Sequence, residues 1–371
     1  MEAIHVFQRA VDDPAGYLKS IRSKHKIIGY CCTYTPEEII FAAGVHPVRL
    51  FGTKGAIQRA DAHLQAYSCS LVRGVLEDAL AGNLDALDGM VFPHTCDSIQ
   101  RLSDIWRLNI ASTWHNDIVL PVKLNTGSSH EYLLDVLKKF RREIEAWTGT
   151  ALTDADLRES IVTYNRLRAL LKRIYELKSA SPGIMSGRAV NSMIKGAMIM
   201  DRREAINHLE TLVQVLGAET EKTTSPTTKR AILAGSICNH PEIYDIVESA
   251  GAEVVWDELC TGSRFFEGPI DEDGDPLAAI ARRYIGRMNC PAKHKDLRTR
   301  GETLVRMAQE HAAQGVIFLN FKFCEPHAFD YPYLKEMLQG HGLSTLLLEI
   351  DQELPATGQL ATRIEAFIET M

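Results

Sequence analysis

Short apolar runs, each followed by a stretch with helical periodicity, recur in two separate parts of the chain. The runs are rich in β-branched and aliphatic residues, which is typical of buried parallel strands in βαβ units. They cover residues 26–30, 48–51, 89–93 and 118–124 in the N-terminal part, and residues 231–235, 252–256, 315–320 and 345–350 in the C-terminal part. The pattern predicts an α/β protein with two doubly wound parallel sheets of about four strands each.

The region between the two groups has no strand-like run. Residues 156–177 repeat apolar positions at helical spacing, residues 181–183 (SPG) break the pattern, and residues 199–216 resume it. The polar segment 219–229 is interpreted as an interdomain linker. The predicted domains are therefore an N-terminal α/β domain (residues 1–152), a helical linker region (153–225) and a C-terminal α/β domain (226–371).

Composition and charge restrict the class of protein. A chain of 371 residues with 45% hydrophobic and 24% charged residues is typical of a globular protein with more than one domain. A net charge of −7 argues against a nucleic-acid footprint, and no apolar run reaches the roughly 18 residues of a membrane span. The N-terminus is predicted to form an amphipathic helix and lacks the apolar core of a signal peptide, so we expect a cytoplasmic protein.

The cysteines are concentrated where the predicted strands end. Disulfides are not expected in the cytosol, and the ordinary alternative is that free thiols pack as small hydrophobic groups. The following cysteines lie at or just after the carboxyl end of a predicted strand: Cys31, Cys32, Cys96, Cys238, Cys260 and Cys324. Because open α/β sheets bind ligands outside these ends, the placement favours a metal or cluster site over core packing.

The type of metal site is indicated by the spacing of the cysteines. Cys69 precedes the predicted helix 71–80, whose N-terminus favours a thiolate, and Cys290 lies in a loop where it is either a ligand or a bystander. No CxxC pair of the zinc type is present. Thiolates dispersed over both domains fit an iron–sulfur cluster in a cleft, whereas a single nucleophilic cysteine leaves the others unexplained. Without a Walker A motif in the chain, ATP-driven chemistry would require a separate ATPase.

Several longer strings occur in a fixed order over nearly the whole chain. They are YCCTYTPEE (30–38) with AAG (42–44), HTCDS (94–98) with DIW (104–106), KFCEP (322–326), LEID (348–351) and the tail 358–371. These strings resemble the 2-hydroxyacyl-CoA dehydratase/benzoyl-CoA reductase subunit family. The resemblance implies two flavodoxin-like domains and an oxygen-sensitive [4Fe-4S] cluster bound by Cys69, Cys96 and Cys324, with Cys32 beside the remaining iron. Some relatives hold a double-cubane cluster, and further cysteines leave that alternative open here: Cys238, Cys260 and Cys290.

The resemblance also implies substrates and partners. Family members act on an acyl-CoA or aryl-CoA, pair with a homologous second subunit, and receive electrons from an ATP-hydrolysing iron–sulfur activator subunit. The dehydratases eliminate water through a ketyl radical, and the reductases add electrons and protons to an aromatic ring. The strings HTCDSIQRLSDIWR, NCPAKH and KFCEPHAFDYPYL look nearer to the smaller, non-ATPase benzoyl-CoA reductase subunit. We therefore expect a benzoyl-CoA-type ring reductase subunit, with a 2-hydroxyacyl-CoA dehydratase subunit or a double-cubane electron-transfer protein as the alternatives.

Two residues are candidates for proton transfer. His94 lies two residues from Cys96, and Glu349 lies at the end of the last predicted strand. Histidine and carboxylate side chains are the usual groups for proton transfer in enzymes. The alternative roles are a supporting hydrogen bond for His94 and a turn cap for Glu349. A second class of function, an electron-transfer or assembly subunit without a substrate pocket, is distinguished by its failure to bind an acyl-CoA.

Overall fold

Two parallel sheets form the framework of the computed structural model, which describes residues 2–110, 113–220, 228–287 and 290–371. The strands are β1 (Ile27–Tyr30), β2 (His46–Arg49), β3 (Gly89–Pro93), β4 (Trp114–Ile118), β5 (Lys229–Gly235), β6 (Ala252–Glu258), β7 (Gly315–Phe321) and β8 (Ser344–Ile350). Their orders are β2-β1-β3-β4 and β6-β5-β7-β8, so each sheet has the same doubly wound topology. This is the flavodoxin-like order, and the predicted fold class is confirmed.

Helices connect the strands and fill the region between the two sheets. They are α1 (Glu2–Asp12), α2 (Pro14–Ile21), α3 (Glu37–Ala42), α4 (Ser70–Leu80), α5 (Asp97–Asn109), α6 (Gly127–Thr148), α7 (Asp154–Ala180), α8 (Gly187–Ile199), α9 (Arg202–Thr220), α10 (Glu242–Ser249), α11 (Ser263–Phe266), α12 (Pro276–Gly286), α13 (Thr299–Glu310), α14 (Glu325–Gly340) and α15 (Thr357–Glu369). Within the described part of the chain, none of these helices combines the length and apolar character needed to cross a bilayer.

Two strands begin earlier than the apolar runs predicted. β2 spans His46–Arg49 instead of residues 48–51, and β4 spans Trp114–Ile118 instead of 118–124. Both are edge strands, which tolerate Pro47 in β2 and the polar sequence HND in β4 because only one side is paired. Apolar content is a poor guide to strand position at such edges.

The helical middle region contains one helix more than the sequence pattern predicts. Helix α7 begins at a capping box made by Thr153 and Asp156. After the predicted break at residues 181–183, α8 forms over Gly187–Ile199, and its residues from Val190 onwards are all buried. A helix buried all round lacks the amphipathic pattern that marks a surface helix, which explains the omission. Residues 221–227 of the predicted linker lie outside the described residues, and the domain boundaries remain a prediction.

A buried polar network connects helix α3 to the middle helices. The Glu37 carboxylate accepts hydrogen bonds from Tyr30 Oη (2.5 Å), Tyr164 Oη (3.0 Å) and Arg202 Nη2 (2.8 Å). The neighbouring Glu38 pairs with Arg168 of α7. These contacts fix the start of α3, and therefore also fix the turn between β1 and α3 that carries Cys31 and Cys32.

Candidate metal centre and adjoining cavity

Thiols from both halves of the chain meet at the carboxyl ends of the two sheets. The thiols that interact electrostatically with one another form a single group, here called the cysteine cluster: Cys31, Cys32, Cys69, Cys96, Cys260, Cys290 and Cys324. The cluster contains every cysteine predicted as a ligand, together with Cys31 and with Cys260 and Cys290, whose roles the sequence left open. Cys238 interacts with Lys195 instead.

Three members of the cysteine cluster share one backbone setting. Cys69, Cys96 and Cys324 are the residues immediately before helices α4, α5 and α14. Backbone N–H groups of the first helical turn face each sulfur, from Leu71 and Val72 for Cys69, from Ile99 for Cys96 and from His327 for Cys324. Burial raises the pKa of all three thiols, and these N–H groups oppose it. A helix N-terminus stabilises negative charge, so the three positions are suited to thiolates bound to a metal.

The turn that holds Cys32 is fixed by residues from the C-terminal half. Tyr284 Oη donates to the Thr35 carbonyl (2.5 Å), and Arg287 Nη1 donates to the Thr33 carbonyl (2.7 Å). Thr95 Oγ1 approaches Cys32 Sγ at 3.5 Å from the loop that also carries Cys96. The two halves of the molecule therefore meet around Cys32.

Cys260 lies in a different electrostatic setting from the other thiols. Burial disfavours its thiolate, but the Arg264 guanidinium, 3.5 Å from the sulfur, holds the pKa of Cys260 below its usual value. Arg264 is in turn paired with the buried Glu258. By contrast, burial raises the pKa of Cys290 to about 12. Glu258 and Cys260 both lie in the string DELCTG (257–262).

The donor set determines which metal group the site fits. Among the described residues, no three His, Cys, Asp or Glu side chains are close enough together to hold a single metal ion. A cubane cluster carries its ligands on separate irons, so its thiolates stand farther apart than those around one ion. The candidate donors are thiols, and they are buried or half-buried. This chemistry fits an iron–sulfur cluster.

A cavity of about 630 Å³ is lined by residues from both halves of the chain, including neighbours of the cysteine cluster. Its walls come from both halves of the chain and include the loop after β2, helix α8, and the loops after β5 and β8. Arg49, at the end of β2, lines this cavity and interacts electrostatically with Cys31 and Cys260. Ser70, which follows Cys69, also lines it. The cavity therefore reaches the same sheet edges as the thiols.

The two predicted proton-transfer residues lie in different environments. His94 Nε2 is 2.9 Å from Asp117 Oδ1, and Asp117 also accepts a hydrogen bond from Ser103. Burial raises the pKa of Asp117, but hydrogen bonds from His115, Ser103 and His94 outweigh it and hold this pKa well below its usual value. Glu349 is exposed on the edge strand β8 and is not among the residues that line the cavity. The roles of His94 and Glu349 remain predictions.

The comparisons with known proteins agree on one family. A family model described as "2-hydroxyglutaryl-CoA dehydratase, D-component" matches residues 32–371. The (R)-phenyllactyl-CoA dehydratase beta subunit of Clostridium sporogenes is 29% identical over 98% of this chain and 97% of its own length. A benzoyl-CoA reductase subunit of Thauera aromatica is 29% identical over 86% of this chain and 83% of its own length. The (R)-2-hydroxyglutaryl-CoA dehydratase beta subunit of Acidaminococcus fermentans is 26% identical over 99% of this chain and 98% of its own length. The resemblance noted from the motifs is confirmed.

Proposed function

Because the chain belongs to the 2-hydroxyglutaryl-CoA dehydratase D-component family, we propose that it is the iron–sulfur subunit of a low-potential acyl-CoA enzyme. The observation that carries the proposal is the meeting of buried thiols from both domains at the sheet edges, beside a cavity lined by both halves of the chain. A subunit for electron transfer alone has no need of that cavity.

The proposed cofactor is a [4Fe-4S] cluster bound by Cys69, Cys96 and Cys324, with Cys32 beside the fourth iron. The shared position of the first three at helix N-termini supports this ligand set, because the exposed N–H groups favour anionic sulfur and tune a bound cluster. When bound, such a cluster supplies single electrons at low potential. A double-cubane cluster is the alternative cofactor, and it is supported by Cys260 and Cys290 in the same group of thiols.

The proposed reaction is the elimination of water from a 2-hydroxyacyl-CoA. Alignment with dehydratase beta subunits over 98% and 99% of the chain supports it. Dehydration returns the electron to its source and consumes no net reductant. Reduction of an aryl-CoA ring, which the sequence motifs favoured, is the second candidate, since the benzoyl-CoA reductase relative is equally identical at 29%. That reaction consumes two electrons and two protons for each ring.

The proposed partners are a homologous second subunit and an ATP-hydrolysing activator. The relatives are themselves named as subunits. Apolar side chains close in sequence to the proposed ligands are exposed, among them Tyr67 (67% exposed), Phe323 (50%) and Phe329 (76%). Aromatic side chains are enriched where proteins bind one another, and we assign these three to the surface that contacts the second subunit.

Anaerobic preparation followed by iron and sulfide analysis tests the proposed cofactor. Cys69→Ala, Cys96→Ala and Cys324→Ala should each lose the bound iron. Cys238→Ala is the matched control, because Cys238 is fully buried but lies outside the cysteine cluster, and it should keep the iron. Iron-free anaerobic protein, or iron retained in all three ligand variants, would contradict the proposal.

Turnover measurements distinguish the two reactions. The anaerobic protein, reconstituted with its second subunit and activator, is assayed with a 2-hydroxyacyl-CoA and with benzoyl-CoA. Formation of an enoyl-CoA without net consumption of reductant supports the dehydratase. Oxidation of two electron equivalents for each benzoyl-CoA supports the reductase.

A further inference from the structure

Arg49 is a buried cation with unused hydrogen-bond donors. Its side chain lines the cavity, and the residue is only 2% exposed. Its Nε and Nη1 atoms have no hydrogen-bond partner among the described residues. The centroid of the Tyr30 ring is 5.7 Å from the guanidinium carbon of Arg49. Buried donors without partners are costly, so these atoms point to a ligand that accepts hydrogen bonds.

Lys195 of helix α8 is a second buried cation in the same cavity. The residue is 4% exposed, its Nζ donates to Asn239 Oδ1 at 3.1 Å, and it lies 4.4 Å from the centroid of the Phe51 ring. Burial lowers the pKa of Lys195 to about 8, and Arg49 is near enough to contribute. The group therefore remains mostly protonated at neutral pH.

Neither cation is neutralised by the protein. In the part of the chain that the structure describes, no carboxylate forms an ion pair with Arg49 or Lys195. The acidic side chains of the cavity wall have other partners: Asp12 with Lys54, Glu242 with Arg188, Asp351 with Lys322 and Asp78 with Asn83. Two like charges buried without a counter-ion are strongly unfavourable unless a ligand supplies the negative charge.

We propose that Arg49 and Lys195 form an anion-binding subsite for a carboxylate at the end of the acyl chain of the CoA thioester. This inference rests on the proposed function and narrows its substrate class. Arg49 presents its guanidinium donors to the carboxylate, and Lys195 adds a second positive charge. An acyl-CoA with a terminal carboxylate is therefore preferred over one with an apolar chain of the same length.

The position of the pair favours the acyl chain over the phosphates of CoA. Arg49 interacts electrostatically with Cys31 and Cys260, so this end of the cavity adjoins the cysteine cluster. Apolar side chains surround it, including the buried Leu50 and Val48. The more exposed cations of the cavity wall already have carboxylate partners, Lys54 with Asp12 and Arg188 with Asp245.

Calorimetric titration of the anaerobic full-length protein tests the subsite. The ligands are glutaryl-CoA and pentanoyl-CoA, which have the same chain length and differ in the terminal carboxylate, together with CoA itself. Neither thioester carries a 2-hydroxyl group, so turnover does not interfere. We expect glutaryl-CoA to bind about tenfold tighter than pentanoyl-CoA. Arg49→Gln and Lys195→Met should remove this preference, and Arg49→Lys should keep part of it.

Lys54→Met is the control, because it removes a cation that is exposed and already paired with Asp12 (3.7 Å). It should leave the preference for glutaryl-CoA unchanged, and thermal melting should show that each variant is folded. Equal affinity for the two thioesters in the unsubstituted protein would overturn the subsite while leaving acyl-CoA binding intact. Equal loss of affinity for CoA and glutaryl-CoA in Arg49→Gln would also overturn it, since the bound anion would then be a CoA phosphate. Failure to bind any of the three ligands would instead contradict the proposed function.

Discussion

Glu37 and Arg202 form an ion pair inside the protein, with 2.8 Å between Oε2 and Nη2, although 165 positions separate them in the sequence. Arg202 is fully buried, and its guanidinium also donates to the backbone carbonyls of Ala197, Met200 and Pro47. The pair connects the helix after β1 to the start of α9. It therefore holds the cysteine-bearing turn against the middle helices.

Glu37→Gln should destabilise the protein by about 3–5 kcal/mol, because it leaves the buried Arg202 without its counter-charge. Urea unfolding measures the change. The matched control is Glu159→Gln, which breaks the exposed pair with the adjacent Arg203, also 2.8 Å long. That substitution should cost no more than about 1 kcal/mol. Equal effects of the two substitutions would show that burial does not govern the Glu37 pair.

Gly235, the last residue of β5, has a φ of +138° and packs against the backbone of β7. A Cβ atom at this position would collide with the Leu319 carbonyl oxygen. Gly235→Ala should therefore destabilise the protein by at least about 2 kcal/mol, through both backbone strain and the clash. Gly217→Ala in α9 is the control, because its Cβ would enter open space. It should be neutral or stabilising by up to about 1 kcal/mol.

His46 should make the protein less stable in acid. Its buried ring lies 2.7 Å from the Ile199 carbonyl oxygen, and burial lowers its pKa to about 3. In the unfolded chain the pKa is about 6.5, so between about pH 6.5 and 3 the unfolded state binds a proton that the native state excludes. Stability therefore falls as the pH drops through this window, by about 2 kcal/mol between pH 6.5 and 5.

His46→Gln removes this titration and should flatten the pH dependence of the free energy of unfolding, measured in urea at pH 7.5 and 5. His63→Gln at an exposed position is the control and should leave the slope unchanged. An unaltered slope in His46→Gln would mean that the ring takes up a proton as readily in the folded protein as in the unfolded chain.

His94→Gln separates a proton-transfer role from a supporting one. If His94 moves a proton, the substitution should lower kcat by about 10²-fold or more while the bound iron stays constant. The comparison variant is Ser103→Ala, which removes another hydrogen bond to Asp117 but leaves the His94 imidazole in place. Iron loss in His94→Gln, or equal kinetics in both variants, would assign His94 to support of the cysteine-bearing loop.

The overall architecture could be predicted because the apolar residues that a buried strand needs are consecutive in the sequence. The central strands β1, β3, β5 and β7 are continuous apolar runs, and each was located to within two residues of its observed bounds. The edge strands β2 and β4 were misplaced because they contain Pro47 and the polar sequence HND, which an edge strand tolerates, whereas the edge strands β6 and β8 contain apolar runs. Helix α8 was missed because its residues from Val190 onwards are all buried, so no exposed polar face marks a helical period in its sequence.

The sequence by itself placed cysteines at the strand ends, because in a parallel sheet strand polarity determines the edge at which a following residue lies. Only the tertiary structure decided which thiols meet. It brought Cys260 and Cys290 to the cluster, assigned Cys238 to the surroundings of Lys195, and left Arg49 buried with unused donors. Such relationships depend on how the two sheets and the middle helices pack, and that packing joins residues far apart in the chain without leaving a local pattern.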